Sequence, residues 1–198
     1  MAAMASDAAL AAAVTAAYAL GTFPTAALVA RAHGRDPTRE GSGNPGASNV
    51  YRLAGRRAAV VVFAGDVLKG SAAAGLGWAV DGRSLAVVCG AVAELGHCFP
   101  VTRGLRGGKG VATAAGYVAV VVPVLAALAV LTWSTLARLT RKASLASLVT
   151  VAVVVVGVIA MRGLSRETAV LLGTALLIVV RHAGNLARLV RGEERSLQ

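Results

Sequence analysis

Apolar residues in this chain form long unbroken runs rather than stripes, at roughly 8–30, 58–80, 84–98, 111–137, 145–161 and 168–180. Several approach the ~20 residues an α-helix needs to cross a bilayer, so the pattern predicts an all-α, polytopic membrane protein. The run at 111–137 is long for one span and short for two, and Pro123 near its middle offers a break. It reads as a tight pair of short helices, which makes seven transmembrane segments. Between the runs lie four polar stretches: "GSGNPGASNVYR" (41–52), "GHCFPVTRGLRGGKGVAT" (96–113), "RKASLAS" (141–147) and "RHAGNLARLVRGEE" (181–194).

Composition sharpens this reading. Of 198 residues, 57% are hydrophobic and 15% charged, with a mean hydropathy of +0.71, values foreign to soluble domains. The whole chain, 1–198, reads as a single membrane-embedded domain. Spans rich in Ala and Val predict close helix packing, because small side chains let backbones approach. Residues 8–30 read as a retained first span rather than a signal peptide, since no basic region precedes them. Cys89 and Cys98 form no CxxC pair and read as small buried fillers, neither a disulfide nor a zinc site.

The net charge of +11 raises the question of nucleic acid, but aromatic residues are only 4%, and the membrane explains the charge better. Every Lys and Arg except Lys69 falls between the apolar runs. The segments 31–57, 103–109, 138–142 and 181–195 hold 6, 3, 3 and 4 of them, whereas 81–83 and 162–166 hold 1 and 2. The positive-inside rule places the first four segments in the cytoplasm and the other two outside. The N-terminus is then outside and the C-terminus cytoplasmic.

All four polar stretches thus share one face, and the first three run directly into helices heading outward. Helix N-termini carry unpaired N–H groups and partial positive charge, and successive glycine N–H groups can form anion nests. With Arg52, Lys109 and Arg141 beside them, these N-termini predict a phosphate site. Gly41, Gly43 and Gly46 permit close backbone approach, and Ser42, Asn44, Ser48 and Asn49 supply short polar side chains, as a cavity-lining loop requires. The competing reading of this stretch is a solvated loop with Asn49 capping the next helix. "GLRGGKG" is not a nucleotide P-loop, because Gly110 follows Lys109 where Ser or Thr is needed. His33, His97 and His182 form no i,i+4 pair and have no carboxylate cluster, so no metal site is expected. His182 stands out through Asn185, one turn further along the same face, and through the adjacent Arg181. Asp66 and Lys69, three apart within a span, are expected to neutralise one another in an architectural role, with substrate contact as the alternative.

Together these stretches resemble the acyl-phosphate:glycerol-3-phosphate acyltransferases, the PlsY family of bacterial membrane enzymes. The pattern GSGN-x-GATN followed by Arg is met by Gly41 to Arg52, with Ser48 where Thr is usual. GH-x-FP with a later GGKG-x-AT is met by Gly96 to Thr113, and H-x-x-N with a later G-x-E by His182 to Glu194. An Arg-x-x-Ser-x-x-Ser pattern matches Arg141, Ser144 and Ser147, with Lys142 where an aromatic is common, and D-x-x-KG matches Asp66 to Gly70.

The resemblance implies a seven-helix enzyme of the bacterial plasma membrane. It would transfer a fatty acyl group from acyl phosphate to the sn-1 hydroxyl of glycerol 3-phosphate, giving lysophosphatidic acid and phosphate without a cofactor. It assigns His182, Asn185 and Ser42 to catalysis. The substrate-binding set is Ser42, Gly43, Asn44, Asn49, Arg52, His97, Gly107, Gly108, Lys109, Thr113, Arg141, Ser144, Ser147, His182, Asn185 and Glu194. Its partners are the two substrates and the lipid bilayer, with no nucleic acid; oligomeric state is left open.

Other glycerolipid acyltransferases use a His with an Asp five positions later. Here positions 38, 102 and 187 are Thr, Thr and Ala, so that dyad is absent. An acyl phosphate carries its own good leaving group, and positioning plus charge neutralisation suffice. The attacking hydroxyl could lose its proton to His182 or to a substrate phosphate. Cys98 has no activating neighbour and is not expected to carry an acyl group. The rival function is a transporter or channel for a phosphate ester, which predicts paired helix interruptions in two halves and charge near the midplane. The polar groups here concentrate at one face and no internal repeat is visible.

Overall fold

Ser6 opens the first helix by accepting the Ala9 N–H at 3.3 Å, with Asp7 in the first turn of α1 (Asp7–Thr22) where the helix dipole favours an acid. This is a computed structural model, which describes residues 5–197, so the outermost ends of the domain read over 1–198 lie outside it. Pro24 separates α1 from α2 (Thr25–Arg31), and the two share the first apolar run.

Helix α3 (Ala47–Cys98) is three helical stretches rather than one rod, because the backbone leaves helical geometry at Gly55 and again at Asp81–Gly82. The second break is a hairpin, and it divides the two spans expected at 58–80 and 84–98. After the short 3₁₀ turn Val101–Arg103 come α4 (Val111–Val121), α5 (Pro123–Thr140), α6 (Ala143–Arg162), α7 (Arg166–Arg181) and α8 (Ala183–Val190). Pro123 begins α5 and ends α4 at eleven residues, the expected pair of helices. At ~1.5 Å per residue α4 is only about half a bilayer long.

Small residues set the packing. A Cβ on Gly70 would lie 2.1 Å from the Thr113 carbonyl oxygen, and one on Gly116 would lie 2.0 Å from that of Val67, so α3 and α4 touch backbone to backbone. Below this crossing Val121, Val122, Leu125, Val158 and Leu171 form the core shared by α4 to α7. Large apolar side chains such as Leu131, Val156 and Leu176 remain outward, as a hydrocarbon environment requires.

The connections segregate to two ends. At one, Arg83 pairs with Glu167 at 2.8 Å and Ser84 donates to the same carboxylate at 2.7 Å, tying the hairpin to the start of α7. At the other, all four polar stretches meet: Arg181 donates to the Gly107 and Gly108 carbonyls, Arg195 to Gly41, and the Leu197 N–H to Arg141. The sequence reading did not anticipate α8. Its eight residues bend 56° from α7 and, interrupted by Asn185 and Arg188, are too short to register as an apolar run.

Candidate active site

A cavity of about 750 Å³ opens among the four polar stretches and continues between α4, α5, α6 and α7. Its mouth is polar and its depth apolar, with Val118, Val130, Val154 and Leu172 among the walls. The first turns of α3, α4 and α6 all line it. None of the three has a side-chain cap, whereas α1 and α7, which begin at the other end, are capped by Ser6 and Ser165. Three uncapped helix N-termini therefore present free N–H groups around one cavity.

Glu194 organises the mouth. Its Oε1 accepts from Ser144 at 2.8 Å and from Asn185 Nδ2 at 2.6 Å, and its Oε2 pairs with Arg188 at 3.0 Å. Burial pushes this carboxyl up, but the Asn185, Ser144 and Arg188 contacts outweigh burial and hold it below the usual carboxylate range. Lys109 donates to Asn185 Oδ1, so cation, amide and carboxylate form one chain. Burial lowers the Lys109 ammonium to about 8; Glu194 opposes the shift, while Arg188, Arg52 and Arg181 add to it.

His182, at the α7–α8 bend, has Nδ1 2.8 Å from the Ile178 carbonyl oxygen. A carbonyl only accepts, so the ring proton is on Nδ1 and the Nε2 lone pair is available to the cavity that His182 lines.

The 41–52 stretch is held by Asn49. Its Oδ1 accepts the Ser42 N–H at 2.9 Å, and its Nδ2 donates to the Pro37 and Glu40 carbonyls at 3.0 and 3.1 Å. Asn49 thus folds the loop before it and does not cap α3, whose N-cap is Gly46. Gly41 is required here, with φ +62 and a Cβ position only 2.3 Å from Asn49 Oδ1. Arg52 reaches the C-terminal segment, donating to the Ser196 carbonyl at 3.1 Å and to Ser48 at 3.1 Å.

Of the residues expected to bind substrate, Ser42, Asn44, Asn49, Arg52, His97, Lys109, Ser144, Ser147, His182, Asn185 and Glu194 line the cavity. Five do not. Gly43 lies in the loop behind it with φ +70. Thr113 is fully buried at the α3–α4 crossing. Arg141 contributes its backbone, capping α5 with φ +55 while its carbonyl accepts the Leu197 N–H at 2.6 Å. Gly107 and Gly108 do not form the expected anion nest, because their N–H groups already bond the Cys98 and His97 carbonyls at 3.1 Å. Both are glycine for space, since a Cβ on either would come within 2.0 Å of His97.

Two participants, Arg188 and Trp133, escaped the sequence reading, and Arg181 stood out there only as the neighbour of His182. Arg188 was only one of several basic residues in its segment, Trp133 donates to Ser147 at 3.0 Å from inside an apolar run, and Arg181 stacks over Phe99 at 5.3 Å. Only Arg188, four residues before a G-x-E tail, left a signal in spacing. Glu94 is also new: it is completely buried behind Gly110, and neither carboxyl oxygen has a partner among the described residues. The expected Asp66–Lys69 pair is present at 2.9 Å.

Residues 11–192 match the family described as glycerol-3-phosphate acyltransferase. A glycerol-3-phosphate acyltransferase of Thiobacillus denitrificans is 42% identical over 188 residues, spanning 91% of this chain and 94% of its own. One from Cupriavidus pinatubonensis is 40% identical over 186 residues, with 90% and 92% covered. The fold is similar to a crystal structure of PlsY (YgiH), an integral membrane glycerol 3-phosphate acyltransferase, in its glycerol 3-phosphate form. The TM-score is 0.91, with 33% identity over 96% of both chains. A lysophosphatidic acid form of PlsY gives a TM-score of 0.88 at the same identity over 94% of both.

Proposed function

The chain belongs to the glycerol-3-phosphate acyltransferase family, and we propose that it transfers a fatty acyl group from acyl phosphate to the sn-1 hydroxyl of glycerol 3-phosphate. The products are lysophosphatidic acid and phosphate. The observation that carries this reading is the convergence of three uncapped helix N-termini on one cavity with Lys109, Arg52 and Arg188 at its mouth and apolar walls below. Two phosphate-bearing substrates, one of them with a hydrocarbon tail, need both parts.

The residues divide the work. Lys109 and the N–H groups at the starts of α4 and α6 hold phosphate oxygens, and the walls of α5, α6 and α7 take the acyl chain. Ser42 and Asn185 orient the acceptor, and His182 Nε2 accepts the hydrogen bond of its attacking hydroxyl. That oxygen bonds to the acyl carbonyl carbon, the carbon–oxygen bond to phosphate breaks, and the leaving phosphate takes the electron pair. The hydroxyl proton departs toward His182 and ends on the released phosphate, which balances the step. No covalent intermediate is needed: Cys98 is fully buried, and no His is followed by an Asp five positions later. The loop-bearing end, with its excess of Lys and Arg, faces the cytoplasm of a bacterial cell, where glycerol 3-phosphate is dissolved.

Product analysis with purified protein, acyl phosphate and glycerol 3-phosphate in detergent tests this directly. Lysophosphatidic acid is the expected product. Its absence, together with vectorial uptake of glycerol 3-phosphate into proteoliposomes, would replace the enzyme by a transporter.

A further inference from the structure

The Asp66–Lys69 pair does more than cancel charge within the bundle. Lys69 Nζ lies 2.9 Å from Asp66 Oδ1, 3.5 Å from the Phe23 carbonyl oxygen and 2.6 Å from His97 Nδ1. The side chains of Asp66, Lys69 and His97 are only 4%, 5% and 8% exposed. An ammonium has three protons and no lone pair, and here it meets three acceptors. His97 Nδ1 must then supply the lone pair, which places the ring proton on Nε2. Asp66 Oδ1 is 3.7 Å from the same Nδ1, beyond hydrogen-bond distance, so it steadies the ammonium rather than the ring.

His97 Nε2 has no hydrogen-bond partner among the described residues. It lies against Gly108, close enough that a Cβ there would be 2.0 Å away, and His97 lines the cavity immediately before the turn that presents Lys109. His182 has the opposite tautomer, with its proton spent on Ile178 and its Nε2 lone pair free. One cavity therefore contains one imidazole fixed as a donor and one fixed as an acceptor.

We propose that Asp66 and Lys69 are positioning residues that hold His97 as an Nε2–H donor to a phosphate oxygen of bound substrate, the counterpart of the acceptor His182. The proposal rests on the acyltransferase reading for which phosphate ester occupies the site, but not for the donor itself. A neutral N–H at this place adds a directed bond to the charge of Lys109 without adding repulsion among Arg52, Arg181 and Arg188. Gly108 is glycine because the ring must reach past it.

Nitrogen-15 NMR of the histidine-labelled full-length protein reads the tautomers directly. The expected spectrum has His97 protonated on Nε2 and His182 on Nδ1, and Lys69→Met redistributes the His97 proton while leaving His182 unchanged. A wild-type His97 protonated on Nδ1 overturns the proposal, as does a Lys69→Met spectrum identical to wild type. The second arm titrates inorganic phosphate. The His97 Nε2–H resonance should shift on binding, and His97→Asn should weaken phosphate about tenfold or more, as for loss of a charge-assisted hydrogen bond. His97→Gln, whose amide nitrogen reaches the Nε2 position, should recover most of it. Equal phosphate binding by wild type, His97→Asn and His97→Gln rejects the donor role. This arm needs no turnover, so its failure is distinct from failure of the acyl-transfer assay.

Discussion

Lys109 donates its ammonium proton to the side-chain oxygen of Asn185, 76 residues away, and Asn185 in turn donates to Glu194. The cation is thereby held at the mouth rather than free to follow solvent. If this held ammonium binds substrate phosphate, Lys109→Ala removes a charge-assisted bond worth ~1.5–3 kcal/mol, or on the order of ten- to a hundred-fold in kcat/KM. Lys109→Arg should recover only part, because a planar fork does not replace a compact ammonium on Asn185. A lysine that merely snorkels to the headgroups tolerates both changes. Steady-state kinetics of the two folded variants separate the roles.

The same ammonium predicts an alkaline limit. Burial brings Lys109 to about 8, and a bound phosphate dianion must raise it, since it favours the charged form. Binding that requires the charged form is therefore complete below pH 8 and declines above it, up to the higher value in the complex. The pH profile of kcat/KM, which reports the free enzyme, should fall above about pH 8. Lys109→Arg should abolish that limb, and Glu194→Gln should move it to lower pH, because the Glu194 charge opposes the downward shift. A profile flat to pH 10 would remove Lys109 from the binding step.

Glu194 lines the cavity with both of its oxygens bonded, to Ser144, Asn185 and Arg188. Glutamine keeps one acceptor and cannot serve all three. Glu194→Gln should therefore lower stability by roughly 1–3 kcal/mol and reduce kcat/KM for both substrates. Lys109→Ala leaves only Asn185 Oδ1 without its donor and relieves a buried charge, so it should lower the thermal midpoint less than Glu194→Gln does. Melting curves in one detergent check the contrast.

The spans were legible because a bilayer forces every spanning helix to be apolar, and the break at Pro123 because proline cannot continue a hydrogen-bond ladder. The four polar stretches could be placed on one face by charge and parity alone. What could not be read were the partners. Asn49 looks like a helix cap in sequence and folds the loop instead, and Gly107 and Gly108 look like an anion nest but spend their N–H groups on the backbone they turn around. The Lys69–His97 contact joins two helices across a hairpin, and no local spacing announces it. Helix α8 is a short amphipathic octet, with Arg188 its one charged residue, and eight residues are too few to stand out as an apolar run.

Topology is the next expectation. Charge places the four polar stretches in the cytoplasm, and the structure gathers those stretches at one end, with Arg83 and Glu167 at the other. Single cysteines near positions 44, 107 and 188 should be labelled by an impermeant maleimide only from the cytoplasmic side, and those at 82 and 164 only from outside, in a background lacking Cys89 and Cys98. Labelling of 107 and 164 from the same side would break the assignment.

Donor choice follows from what the cavity lacks as much as from what it holds. Transfer from a thioester would have to expel a thiolate and accommodate a nucleotide-bearing carrier, usually with a general base that a carboxylate orients. His182 is oriented instead by the Ile178 carbonyl, and its Nε2 faces a mouth already crowded by Lys109, Arg188 and Arg52. That surrounding suits the departure of a phosphate dianion, whose developing charge the three cations and the helix N-termini neutralise without rearrangement. Acyl phosphate should therefore be turned over at least about a hundred-fold faster than the matching acyl-CoA at equal concentration, corresponding to ~2.7 kcal/mol of preference in the transition state. Lys109→Ala should erode the acyl-phosphate rate far more than any residual acyl-CoA rate. Comparable turnover of the two donors by the wild-type protein would show that the cations serve glycerol 3-phosphate alone.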